Sequence, residues 1–137
     1  MTHQDILDFV AQNPICSFAT TDKEQPRVRA FLSNIIENQI YFTSSTHKSV
    51  GKQILKNQKV ELCYLASDFS KMLRITTTIK LVDNKKMKQD FIDGRDYLKE
   101  FSADDPSFLL LTLSNSVARF WTLGDNMKED EVEEVLF

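Results

Sequence analysis

Two arginines, several hydroxyls and two lysines lie within one short stretch of the chain. Arg27 and Arg29 stand two apart in the run PRVR at 26–29. In an extended strand that spacing sends both guanidinium groups off one face and turns Val28 to the other. Like charges side by side repel, so the pair is easier to justify if an anion sits between them. Further on, the run TSSTHKSVGK at 43–52 delivers Thr43, Ser44 and Ser45 to the start of a helix. A helix N-terminus presents free backbone N–H groups and a partial positive charge, and hydroxyls just before it add donors. Lys48 and Lys52, one turn apart, lean toward that end or the neighbouring sheet. Guanidinium, hydroxyl and ammonium groups together suit a phosphate dianion. Each part also has an ordinary reading: exposed strand charge for the arginines, helix capping for the hydroxyls, a wet face for the lysines. Their combination, in this order and on strands expected to be adjacent, points to an anionic ligand.

The elements that must position these groups are legible in the pattern. Thr2 caps a first helix, with Asp5 at the reciprocal position of a capping box and Ile6, Leu7 and Val10 as its apolar stripe. Pro14 ends it. Strands are expected at 15–21, 26–36 and 40–44, forming an antiparallel meander by turn length and residue type. A helix follows over 45–57, with Val50, Ile54 and Leu55 inward and Asn57 as its stop. Strands at 59–66 and 72–82 precede a helix from 83 to about Ile92, disturbed by Gly94, with Met87, Phe91 and Leu98 inward. Two more strands, 107–114 and 116–123, have a tight join near Asn115. About seven strands with few glycines favour a mainly β antiparallel domain curled into a small barrel, which removes exposed edges. That domain is expected to span 1–124, and an acidic tail, 125–137, to fade into helix or coil or to pack on a neighbour as a short amphipathic helix.

Composition bounds the answer. The 137 residues are 42% hydrophobic and 27% charged, the balance of one soluble globular domain. No apolar run approaches the roughly 20 residues that span a bilayer, so no membrane partner is expected. The N-terminus lacks a basic segment followed by an apolar stretch, so no secretory signal is expected. Two cysteines make no disulfide framework, and the expected location is a reducing cytoplasm. Net charge is −3, but residues 23–80 hold ten bases against four acids. That local excess suits an anionic small molecule. A duplex binder shows a broader basic footprint, so no nucleic-acid partner is expected.

The serial pattern ICSFATTDKEQPRVRAF at 15–31, then IYFTSSTHKSVGKQILKNQKVELCYL at 40–65, resembles the pyridoxamine 5′-phosphate oxidase-like family of FMN-binding split barrels. That family shows a strand ending in AT, a turn, a strand with P-x-x-R-P, a Y-F-x-T-S strand, a helix opened by T-x-K, and N-x-x-V. SVARFWTL at 116–123 resembles its closing strand. The resemblance implies a homodimer of six-stranded split barrels with FMN at the subunit interface. It implies that Arg27, Val28 and Arg29 line the cofactor, and that Thr43 and Ser44 meet the flavin ring edge or ribityl chain. It likewise implies that Ser45, Lys48 and Lys52 hold the phosphate, and that Trp121 approaches the ring from the partner subunit. Ala30 replaces the family's usual proline. The ending DNMKEDEVEEVLF lacks the arginine- and histidine-bearing extension of the true oxidases, so turnover of pyridoxamine phosphate is not expected. Short relatives include flavin-binding proteins and reductases, and some bind haem or a deazaflavin.

The resemblance therefore implies an FMN-dependent oxidoreductase with an unassigned small-molecule substrate and reductant. Its alternative is a non-catalytic binding protein for FMN, haem or another planar anionic cofactor. No acid–base dyad stands out, and the catalytic residues stay unassigned. His47 reads as an exposed first-turn side chain or a proton donor. Cys16 and Cys63 read as small buried hydrophobes or thiols. With His3 and His47 they form no ligand spacing, so no metal is expected.

Overall fold

The computed structural model describes residues 1–137. Helix α1 (His3–Gln12) opens with the expected capping box: the Asp5 N–H donates to Thr2 Oγ1 at 3.2 Å, and the Thr2 N–H donates to Asp5 Oδ2 at 2.7 Å. Its stripe of Ile6, Leu7 and Val10 is buried. Strands β1 (Ile15–Asp22), β2 (Gln25–Leu32), β3 (Asn34–Ile36) and β4 (Gln39–Ser45) precede α2 (Ser49–Lys56). Then come β5 (Lys59–Leu65), β6 (Lys71–Leu81), α3 (Lys85–Asp93), β7 (Phe108–Thr122) and β8 (Glu134–Leu136). Every strand pair is antiparallel. The order is β2-β1-β5-β6-β7-β4-β3, with β8 on β7. This is a mainly β split barrel.

Alternation along each strand fills the inside of the curled sheet with Phe18, Phe42, Leu62, Tyr64, Leu73 and Ile75, against which the α1 stripe packs. A smaller cluster, in which Phe91 of α3 joins Tyr41, Phe108 and Leu110, lies on the other face of β4 and β7.

Four expectations are corrected. The 26–36 run is two strands, because Ser33 leaves the ladder. Its N–H donates to Pro14 O at 2.8 Å and its hydroxyl meets the buried Tyr64 hydroxyl at 2.6 Å. The chain then starts a new hairpin, β3–β4, at the far end of the sheet order, so there is no meander and β2 and β4 share no ladder.

The 107–123 region is one strand. Both halves of β7 pair with β6, and Asn115, at φ 51°, is absorbed in a bulge where Thr76 faces Val117 but Thr78 faces Ser114. Thr77 Oγ1 stands 3.1 Å from Ser114 O and 2.8 Å from Ser116 Oγ, which satisfies the distorted ladder.

Helix α2 starts at Ser49, and Leu55 is exposed. The residues before it end β4 and make a turn in which the His47 N–H donates to Ser45 Oγ at 3.1 Å. Finally, the acidic tail forms two short 3-10 turns, 123–125 and 129–131, and then β8 on the edge of β7, with Val135 and Phe137 packed against the core.

Candidate functional site

Where β2 and β4 face each other without a ladder, the barrel is open, and a cleft of about 430 Å³ lies there. Strand β2 supplies Arg29, β4 supplies Thr43, Ser44 and Ser45, and the entry to α2 supplies Lys48. Phe31 and Leu32 form one apolar wall, while Tyr97, Leu98 and Phe101, from the segment after α3, form another.

Alternation places Arg29 on the inner face beside Phe18, its register partner. Its guanidinium is held in place. Nη1 donates to Thr20 Oγ1 at 2.7 Å and to Phe18 O at 3.2 Å, and Nη2 donates to Gln53 Oε1 at 2.8 Å. Thr20 also donates to Gln53 Oε1, so one side chain of α2 fixes both residues. Burial, and then Arg27 alongside, pull the Arg29 pKa below the ordinary arginine value. The group nonetheless stays charged, because arginine does not deprotonate in proteins.

Ser44 is 6% exposed, and its Oγ is a buried side-chain oxygen with no hydrogen-bond partner. A buried hydroxyl left unpaired costs about 1–3 kcal/mol. It lines the cleft, so a ligand's polar atom is the natural partner. At the start of α2, Lys48 is the N-cap and supplies no side-chain cap bond, which leaves the first-turn N–H groups without a capping oxygen. That start is pressed onto the end of β4: a Cβ built on Gly51 would stand 2.0 Å from Ser45 O. Only glycine permits this approach.

The cleft thus gathers Arg29, Thr43, Ser44, Ser45 and Lys48. Lys52 instead lines a separate groove of about 410 Å³ with Lys23, Gln53 and Lys56. Arg27 leans away, its Nε 3.7 Å from Asp22 Oδ2. Val28, 70% exposed, points off the outer face of β2. Trp121 is on the outer face of β7, its ring 5.7 Å from that of Phe69, and lines a third cavity. His47 is exposed.

Sequence reasoning missed Thr20 and Gln53, which orient Arg29, and the wall formed by Tyr97, Leu98 and Phe101. A signal existed for Gln53, the neutral amide on a helix otherwise marked by lysines at 48, 52 and 56. None existed for the wall, which lies more than 50 residues along the chain from the hydroxyl run it faces.

The sequence matches the family described as pyridoxamine 5′-phosphate oxidase over residues 2–122. No curated protein matches it. Among solved structures it is similar to a NimC/NimA family protein from Clostridium acetobutylicum, with 23% identity, TM-score 0.79 and coverage of 98% of this chain and 93% of that one. It is similar also to a pyridoxamine 5′-phosphate oxidase-related, FMN-binding protein from Nostoc punctiforme, with 14% identity, TM-score 0.71 and coverage of 98% and 95%. A general stress FMN/FAD-binding protein from Xanthomonas citri shares 14% identity at TM-score 0.65, with coverage of 88% and 87%. At these identities the likeness is one of fold.

Proposed function

The chain belongs to the pyridoxamine 5′-phosphate oxidase family, and from that premise we propose that it is an FMN-binding oxidoreductase acting on a small molecule, as a homodimer with the cofactor at the subunit interface. The observation that carries this reading is Ser44 Oγ, buried without a partner at the wall of a cleft that also holds Arg29, Ser45 and Lys48. The donor set fits a flavin mononucleotide. Lys48, the Ser45 hydroxyl and the first N–H groups of α2 supply positive charge and donors for a phosphate. Thr43 and Ser44 supply hydroxyls for the polar chain or ring edge. Phe31, Leu32 and Tyr97 supply apolar and aromatic walls for a planar ring.

When bound, FMN would supply hydride-transfer chemistry, which the side chains cannot. The chain's own residues bind and orient. Thr20 and Gln53 hold the Arg29 guanidinium so that little conformational entropy is lost when an anion arrives. Tyr97, Leu98 and Phe101 give the cleft an apolar and aromatic wall. The two named relatives described as FMN- or FMN/FAD-binding support the choice of cofactor.

The homodimer reading rests on the outer face. Ile15 and Leu32 are cross-strand partners, and with Val28 and Leu65 they leave large apolar side chains exposed on the neighbouring strands β1, β2 and β5, as a surface that a second copy covers would. Val28 and Trp121, which do not line the cleft of their own chain, both lie on the outer surface available to a partner.

The test is the absorbance of purified protein before and after adding FMN, followed by NADH or NADPH under anaerobic conditions. Flavin bands that bleach on adding the nicotinamide support an oxidoreductase. Flavin bands that never bleach reduce the reading to a binding protein, and haem bands contradict it.

A further inference from the structure

The β1–β2 hairpin and α2 together line the groove of about 410 Å³ that holds Lys23, Lys52 and Lys56. No apolar side chain lines it. Lys52 and Lys56 are one turn apart on α2, a spacing at which like charges cost a helix about 0.2–0.5 kcal/mol. No carboxylate of the protein offsets that cost. Lys85, Lys86, Lys88 and Lys99 each have an acidic partner within ion-pair reach, whereas Lys23, Lys52 and Lys56 have none. Asp22 is the one acid on the lining, and Arg27 answers its charge, with Nε 3.7 Å from Oδ2.

The two amides on the lining have their oxygens occupied. Gln53 Oε1 accepts from Thr20 Oγ1 and from Arg29 Nη2, and Asn57 Oδ1 accepts from the Lys59 N–H at 3.1 Å. Their nitrogens bond nothing in the protein, and each carries two N–H donors. Thr21 and Ser49 add hydroxyls. The groove therefore offers three ammonium groups and free N–H and O–H donors, while its amide acceptors are taken. Its complement is a ligand built of negative charge and acceptors. Ammonium groups act as point charges, without the flat fork that arginine presents to a carboxylate. Oxygens that carry charge in several directions, as on linked phosphates, match three of them, and an all-polar lining offers no face to a ring or an alkyl chain.

We propose that this groove binds the diphosphate group of a nucleotide, at a site separate from that of the flavin phosphate. Lys48 lines the cleft and Ser49, the next residue, lines the groove, so the nucleotide lies beside the proposed flavin site. The binding itself does not depend on the flavoprotein reading.

Isothermal titration calorimetry of the full-length protein, with and without FMN, tests it with ADP, inorganic pyrophosphate, AMP and sulfate. ADP and pyrophosphate are expected to bind saturably, and AMP and sulfate about tenfold or more weakly. FMN is expected to leave the ADP affinity unchanged. Lys52→Gln and Lys56→Gln, both at exposed positions, are each expected to weaken ADP about threefold to tenfold. Equal binding of sulfate would reveal general attraction of anions and overturn the proposal. Pyrophosphate binding without ADP binding overturns the nucleotide. Loss of ADP binding on adding FMN would place the diphosphate in the cleft, and unchanged affinity in both variants would place it away from the lysines; either overturns the proposal. FMN binding without an ADP response refutes this proposal alone. ADP binding without an FMN response refutes the flavin reading alone.

Discussion

Ser44 and Cys16 carry the clearest consequences at the level of single residues. Ser44→Ala removes a buried hydroxyl that has no partner in the ligand-free protein. Its free-protein stability is expected to be unchanged or higher by about 1 kcal/mol, while its FMN affinity falls about tenfold. Urea melts of the flavin-free protein and flavin titrations read the two effects, and a drop in stability would show that Ser44 bonds within the protein instead. Cys16 is a buried thiol whose pKa burial pushes up from 9.0 to about 11. Burial likewise pushes the Tyr64 phenol up. The folded state therefore disfavours the thiolate that the unfolded chain forms readily. Stability is fully present below pH 9 and is lost as pH rises toward 11, by about 2–3 kcal/mol from Cys16 alone. Denaturant melts at pH 8 and pH 10.5 check the sign, and Cys16→Ala should flatten the slope.

Helix α2 is the element on which the site depends, because its first turn abuts the end of β4 and its Gln53 steadies β2. Gly51→Ala would raise intrinsic helix propensity by about 1 kcal/mol. It would also drive a methyl group into Ser45 O, 2.0 Å from the ideal Cβ position. The clash wins: a net loss of about 1–3 kcal/mol is expected in thermal melts, with weaker FMN binding as α2 moves off β4. A variant as stable as the parent would show that α2 shifts without cost.

What the sequence made legible at this scale was local. The Thr2–Asp5 capping box, the same-face placement of Arg27 and Arg29, and the succession of a strand and then a helix over 40–57 follow from periodicity and end chemistry; the turn between them does not. The misses were matters of partner choice. Ser33 leaves the ladder because Pro14 O and the Tyr64 hydroxyl compete for it. Asn115 reads as a hairpin turn, but both of its flanks find β6. Neither competitor is near in sequence. The cleft's hydroxyl and lysine run was visible, whereas Lys52 and Arg27 left it because side-chain direction depends on helix phase and on Asp22, which spacing alone does not set.

For the whole molecule, the accessible surface is 8431 Å² at 15.9 kDa. A compact monomer of that mass exposes about 7,400 Å². The surplus is of the size that one protomer buries in a standard interface. With Ile15, Val28, Leu32 and Leu65 exposed on neighbouring strands, Val28→Glu is expected to convert a dimer to a monomer in sedimentation or light scattering while leaving the fold intact by circular dichroism. A dimer that persists would place the interface elsewhere.

The most direct test of the account is a titration of FMN into the purified protein, followed by quenching of flavin emission, in the parent chain and in Lys48→Ala. Saturable quenching at low micromolar FMN is expected in the parent, and a loss of about tenfold or more in affinity in the variant, the scale of one charge-assisted hydrogen bond to phosphate. No quenching at high micromolar FMN, or equal affinity in the two proteins, would contradict it.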